Sequence, residues 1–168
     1  PNPQRDFWLN HRRPELYGDY NFYRPDFDGN ASLKPALVSA LLVQYKPEEG
    51  AIDKNHAAIE KLITTTQQGY NLVVLPFNSF VGDKPVTKDT VARLAEPLNG
   101  KSYKLASELA KTYRTYLLFS MPEVADGKYY ETAVLFDYEG NEAGIYRKSH
   151  LNDMEQGWAA AGNDLPVF

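Results

Sequence analysis

Residues 127–151 read GKYYETAVLFDYEGNEAGIYRKSHL, and this stretch decides the fold. Tyr129–Asp137 and Glu142–Arg147 flank Tyr138-Glu139-Gly140-Asn141, a turn-forming tetrapeptide, so together they predict a β-hairpin. Working back from the hairpin, Thr115–Met121 (TYLLFSM) reads as a strand. Ser102 is placed to cap a helix running through Lys111, with Leu105, Ala106 and Leu109 facing inward. Asn71–Leu75 (NLVVL), ended by Pro76, and Ala36–Gln44 (ALVSALLVQ) are short apolar runs of the kind a strand buried on both faces shows. Between them, Gly50–Gln68 carries Ile52, Ala57, Ile59, Leu62 and Ile63 at helical spacing, and Gly69 stops it. Forward of the hairpin, Leu165–Phe168 looks like the opening of another strand. Strand, helix, strand, helix, strand and hairpin predict an α/β layer, with helices packed on a mixed sheet.

Composition narrows the function classes. The 168 residues are 43% hydrophobic, enough for one sizeable core. A net charge of −4 gives no basic surface for nucleic acid or an anionic membrane. That balance is ordinary for a soluble cytosolic protein, and a cytoplasmic location is expected. No apolar run reaches the ~18 residues of a transmembrane helix, and Pro1–Asp6 has no signal-peptide character. There are no cysteines, which removes disulfides, thiolate metal sites and a cysteine nucleophile together. His11 and His56 lack partners at metal-ligand spacing, so no metal and no cofactor are expected. No strand is followed by a glycine-rich phosphate motif, which weakens a nucleotide-binding reading. Residues 1–35 show neither periodicity and read as an extended, unusually aromatic arm or linker.

Particular residues go further. Residues 71–76 (NLVVLP) resemble the first signature of the nitrilase superfamily of carbon–nitrogen hydrolases, an apolar strand ending in Leu-Pro just before a catalytic glutamate. Residues 127–140 resemble that family's Gly-x-x-Tyr-Asn-x-Ala-x-x-x-Asp-x-x-Gly hairpin. Residues 144–151 (GIYRKSHL) resemble its second signature, which carries the catalytic lysine. The resemblance implies a four-layer αββα sandwich that dimerises through helices, of which residues 36–168 supply about half, incomplete at the C-terminal end. It implies a Glu-Lys-Cys triad that hydrolyses a small amide, nitrile or carbamoyl compound. A thiol needs a base beside it, and charge developing on the attacked group needs a fixed cation. Lys148 matches the lysine, Glu155 a further glutamate that supports the pocket, and Gly162 a glycine ahead of the next strand. His150 is expected to be structural and hydrogen-bonded.

Two departures limit this. Phe77 holds the position of the general base; neither it nor Asn78 accepts a proton near neutral pH, and no acid follows until Asp83. The cysteine is also absent, because in the family it follows the strand that begins near Leu165–Phe168. A piece of a longer protein and a natural half-length relative are the competing explanations. The first is preferred, because half a sandwich leaves a sheet face bare and strand edges unpaired. Residues 8–18 (WLNHRRPELYG) resemble a segment near the C-terminal end of some domains of this family, which would make the arm the tail of a preceding module. A coincidental proline-arginine linker is the other reading. The expected function is therefore hydrolysis of a small-molecule amide or nitrile, by a homodimer or larger oligomer. The alternative is an inactive module serving dimerisation, ligand binding or support of an active neighbour.

Overall fold

The computed structural model describes residues 38–65, 69–82 and 86–168. They belong to one compact unit, Val38–Phe168. The expectations for residues 1–35 lie outside the described residues.

Among the described residues nine elements follow in order: β1 (Ala40–Leu42), α1 (Ile52–Thr65), β2 (Leu72–Val74), α2 (Val91–Leu94), α3 (Lys101–Tyr113), β3 (Tyr116–Ala125), β4 (Lys128–Phe136), β5 (Glu142–Arg147) and α4 (Asp153–Gln156). The strands form one five-stranded sheet in the order β1-β2-β3-β4-β5. β1, β2 and β3 run parallel, while β3, β4 and β5 are antiparallel, so the sheet is mixed as expected.

Alternation along the strands assigns the faces. Val73, Leu117, Phe119, Met121, Val134 and Phe136 are buried in one cluster with Ile59 and Ile63 of α1 and Ala106 and Leu109 of α3. This is the helix-covered face. Phe119 packs edge-on against Phe80 at 5.6 Å and stacks on Phe136 at 6.0 Å between centroids. Each such fully buried ring contributes on the order of 2–3 kcal/mol. The opposite face carries Leu118, Ser120, Ala133 and Leu135, all only half-buried.

Four details differ from the sequence reading. β1 and β2 are not buried on both faces: Leu42 is 73% exposed at the sheet edge, and Leu72 and Val74 are half-buried. In α1, Ala57 is exposed and Asn55 is buried instead, its side-chain amide donating to the carbonyls of Glu48 and Phe80 at 2.7 and 2.8 Å. The cap of α3 is Gly100, and Ser102 is the second helical residue. Glu96 takes the capping role from a distance, accepting from the Ser102 backbone N–H at 2.8 Å and its hydroxyl at 3.1 Å. A side chain at Gly100 would come within 2.6 Å of that carboxylate, so glycine keeps the seat open. Finally, Leu165–Phe168 forms no strand; it runs as irregular chain with the Phe168 ring against Gly144.

Candidate functional site

The hairpin sets the geometry. Thr132 of β4 pairs with Arg147 of β5, and one step further the Lys148 N–H donates to the Glu131 carbonyl at 2.8 Å. Arg147 and Lys148 therefore leave the chain toward opposite sheet faces. Arg147 turns to the helix side, where Nη2 and Nε donate to Glu123 at 2.5 and 2.9 Å. Its guanidinium lies 4.2 Å over the Tyr130 ring. Glu123 is 1% exposed and also accepts from Thr132 Oγ1 at 2.6 Å.

Lys148 and Glu131 share the other face. The Lys148 ammonium lies 2.7 Å from both carboxylate oxygens of Glu155, which is 7% exposed. Glu155 sits in α4 because Asn152 caps that helix, accepting from the N–H groups of Met154 and Glu155. Glu155 returns the bond to the Asn152 N–H at 2.8 Å, completing a capping box. One carboxylate thus ends a helix and neutralises the lysine. The following chain is tied down by Ala160 N–H to the Tyr129 carbonyl at 2.8 Å and Gly162 N–H to the Lys148 carbonyl at 3.0 Å. A β-carbon at Gly162 would lie 2.1 Å from the Arg147 carbonyl oxygen, so only glycine allows this approach.

Of the residues singled out from sequence, Lys148 and Glu155 are in contact. Phe77 is 55% exposed, and the next residue, Asn78, turns inward with φ +50° and 1% exposure. Ser120 Oγ accepts from the Asn78 N–H at 3.0 Å, and the Tyr45 hydroxyl donates to the Ser79 carbonyl. Asn78 Nδ2 donates to Glu131 Oε2 at 3.3 Å. His150 is exposed, with Nδ1 3.1 Å from the Ser149 hydroxyl. His56 stacks on Phe80 at 6.4 Å.

Glu131 is what the sequence reading missed. It is 3% exposed, and burial raises its carboxyl to about 7; the Asn78 hydrogen bond lowers it, Glu155 raises it and Lys148 lowers it. The available signal was its place in KYYETAVLF, an acid on the strand face away from Thr132 and Val134. A cleft of about 530 Å³ lies beside β5, lined by Tyr130, Tyr146, Arg147, Ala160 and Asn163. The converging charges of Lys148, Glu155 and Glu131 mark the candidate site more strongly than that opening does.

Among known proteins, a hydrolase of Schizosaccharomyces pombe is 35% identical over 119 residues, spanning 68% of this chain and 35% of its own length. The omega-amidase NIT2-B of Xenopus laevis is 33% identical over 117 residues, spanning 68% of this chain and 41% of its own. The chain thus covers well under half the length of these curated relatives. A crystal structure of an N-terminal amidase superposes with a TM-score of 0.67 at 21% identity, covering 74% of this chain and 31% of that one; it shows the fold. The sequence profile described as carbon-nitrogen hydrolase matches residues 40–168, the same span that carries the sheet, its helices and the Lys148–Glu155 pair. The chain belongs to the carbon–nitrogen hydrolase family, within the nitrilase superfamily.

Proposed function

We propose that this chain is the lysine-bearing part of an enzyme that hydrolyses a small amide, nitrile or carbamoyl compound. The observation that carries the reading is the Lys148 ammonium, 33% exposed at the end of β5 and fixed by a buried carboxylate. A cation held in place before reaction stabilises charge developing on the attacked carbonyl oxygen or nitrile nitrogen without reorganising. Glu155 orients it. Relatives named for amidase activity favour amides among the three substrate classes.

The test is ammonia release by the protein in its natural full length, from Gln-Gly and Asn-Glu peptides and from monoamides of four- and five-carbon dicarboxylic acids. Lys148→Met should lower kcat about 100-fold or more on whichever amide is turned over. Retention of the wild-type rate by that variant would remove Lys148 from the chemistry.

A second reading, a catalytically inactive module for dimerisation or ligand binding, is favoured by one observation. Phe77 follows Pro76 where an acid is expected, and it presents a half-exposed ring to its surroundings. Ammonia release from none of these amides, together with dimers in sedimentation that Phe77→Ser dissociates, would favour it.

A further inference from the structure

We infer that Glu131 is the general base of this site, a carboxylate supplied by the hairpin strand in place of the acid absent after Pro76. The inference rests on the hydrolase reading above and extends it to a residue that reading does not use.

Placement comes first. Glu131 lies opposite Lys148 across the β4–β5 ladder, so both side chains emerge on the face away from the helices. Its Oε2 is held by Asn78, two residues past Pro76, which brings the carboxyl to the loop where the base is expected. Its other oxygen has no partner among the described residues. Neither does Asn78 Oδ1, so two buried polar atoms stand unsatisfied at the Asn78–Glu131 contact. Buried polar atoms are nearly always paired, because each unpaired one costs about 1–3 kcal/mol. Two such atoms at one contact, with Lys148 directly across the ladder from Glu131, point to a polar reactant rather than to packing.

Sequence agrees with placement. In the hairpin pattern that residues 127–140 resemble, the residue after tyrosine is asparagine; this chain has Glu131 there. It has an amide, Asn78, on the loop instead. That amide sits one residue beyond Phe77, so the loop after Pro76 and the hairpin strand together still bring a carboxyl and an amide into contact.

The chemistry then balances. The nucleophile is the thiol the family resemblance implies, which these 168 residues do not contain. Its S–H bond breaks, and the proton passes to the free oxygen of Glu131. The sulfur electron pair forms a bond to the amide carbon, and the carbonyl π pair moves onto oxygen beside the Lys148 ammonium. On collapse the C–N bond breaks, and the nitrogen leaves with the proton Glu131 returns. Water repeats the sequence to release the acid and restore the thiol. A carboxyl titrating near neutrality, as burial makes this one, suits both halves of that exchange.

The experiment uses the full-length protein and the amide of the panel above that it turns over fastest. Glu131→Gln should lower kcat at least 100-fold with KM within about threefold, and should abolish the acid limb of the pH–rate profile. Glu131→Asp should recover part of the rate. Wild-type kcat in Glu131→Gln, with Lys148→Met inactive, would overturn the role of Glu131 while leaving the hydrolase reading intact. Absence of turnover by the wild-type protein would overturn both. If circular dichroism shows the Gln variant unfolded, the wild-type acid limb decides: a limb near pH 7 supports the inference, and one below pH 5 overturns it.

Discussion

Both carboxylate oxygens of Glu155 lie 2.7 Å from the Lys148 ammonium nitrogen, and the same carboxylate accepts the Asn152 N–H at 2.8 Å. The lysine's position is therefore coupled to the start of α4.

Glu155→Gln separates the two roles, because the amide oxygen still accepts from Asn152 while the charge is lost. Breaking a buried pair costs about 3–5 kcal/mol. Solvent screening at a one-third exposed lysine reduces this to about 1–3 kcal/mol. Glu155→Ala should cost about 1 kcal/mol more, the worth of the cap. Urea denaturation of both variants measures the difference, and equal losses would mean the capping bond contributes nothing.

A pH dependence follows from Glu131. Burial first of all, with Glu155 adding and Asn78 and Lys148 opposing, raises its carboxyl from 4.5 to about 7. The folded protein thus binds this proton more tightly than the unfolded chain. The contribution to stability is complete below pH 4.5 and is lost as pH rises through 7. Its size is about 3 kcal/mol. Glu131→Gln should remove that slope, so its stability relative to wild type should improve by this amount between pH 5 and 8. Parallel denaturant curves at the two pH values would show that the carboxyl is not held neutral by burial.

How much of this was legible beforehand depends on which force decided each feature. The hairpin and the strand–helix alternation are local matters of turn chemistry and periodicity, and they stand where the sequence put them. Burial of β1 and β2 depends on what covers a face, and the apolar run Ala36–Gln44 carries no word of that; Leu42 ends up exposed. The cap of α3 comes from Glu96, outside any local capping window, and so Ser102 misled. Glu131 and Asn78 lie 53 positions apart, and no spacing rule joins them. Only the sheet does.

Arg147 and Glu123 make the adjacent testable pair. Glu123 is buried in β3 and receives Thr132 and both faces of the Arg147 fork, which clamps β3 to β5 across β4. Glu123→Ala leaves the guanidinium unpaired and, with solvent screening at a one-third exposed arginine, should cost about 1–3 kcal/mol. Arg147→Lys loses the fork and the stacking on Tyr130 and should cost about 1–3 kcal/mol. A double-mutant cycle with Glu123→Ala and Arg147→Met should give a coupling of about 2 kcal/mol or more. Coupling below about 0.5 kcal/mol would reduce the pair to ordinary surface chemistry.

Gly162 tests whether the end of β5 needs the segment that follows α4. Its N–H bonds the carbonyl of Lys148 itself, and a methyl there would meet the Arg147 carbonyl oxygen at 2.1 Å. Backbone atoms cannot yield as a side chain would, so Gly162→Ala must lift the segment from β5 and release the Lys148 carbonyl. The expected loss is about 2 kcal/mol. Hydrogen exchange should rise sharply across residues 158–164, while the β3–β4 ladder stays protected. With the carbonyl freed, Lys148 keeps its N–H bond to the Glu131 carbonyl and the ion pair with Glu155 but loses the brace on its other side, so turnover by the full-length protein should fall more steeply with temperature than in wild type. Unchanged exchange in residues 158–164 would mean the segment does not brace the lysine, and the β4–β5 ladder with the Glu155 ion pair would then account for its placement.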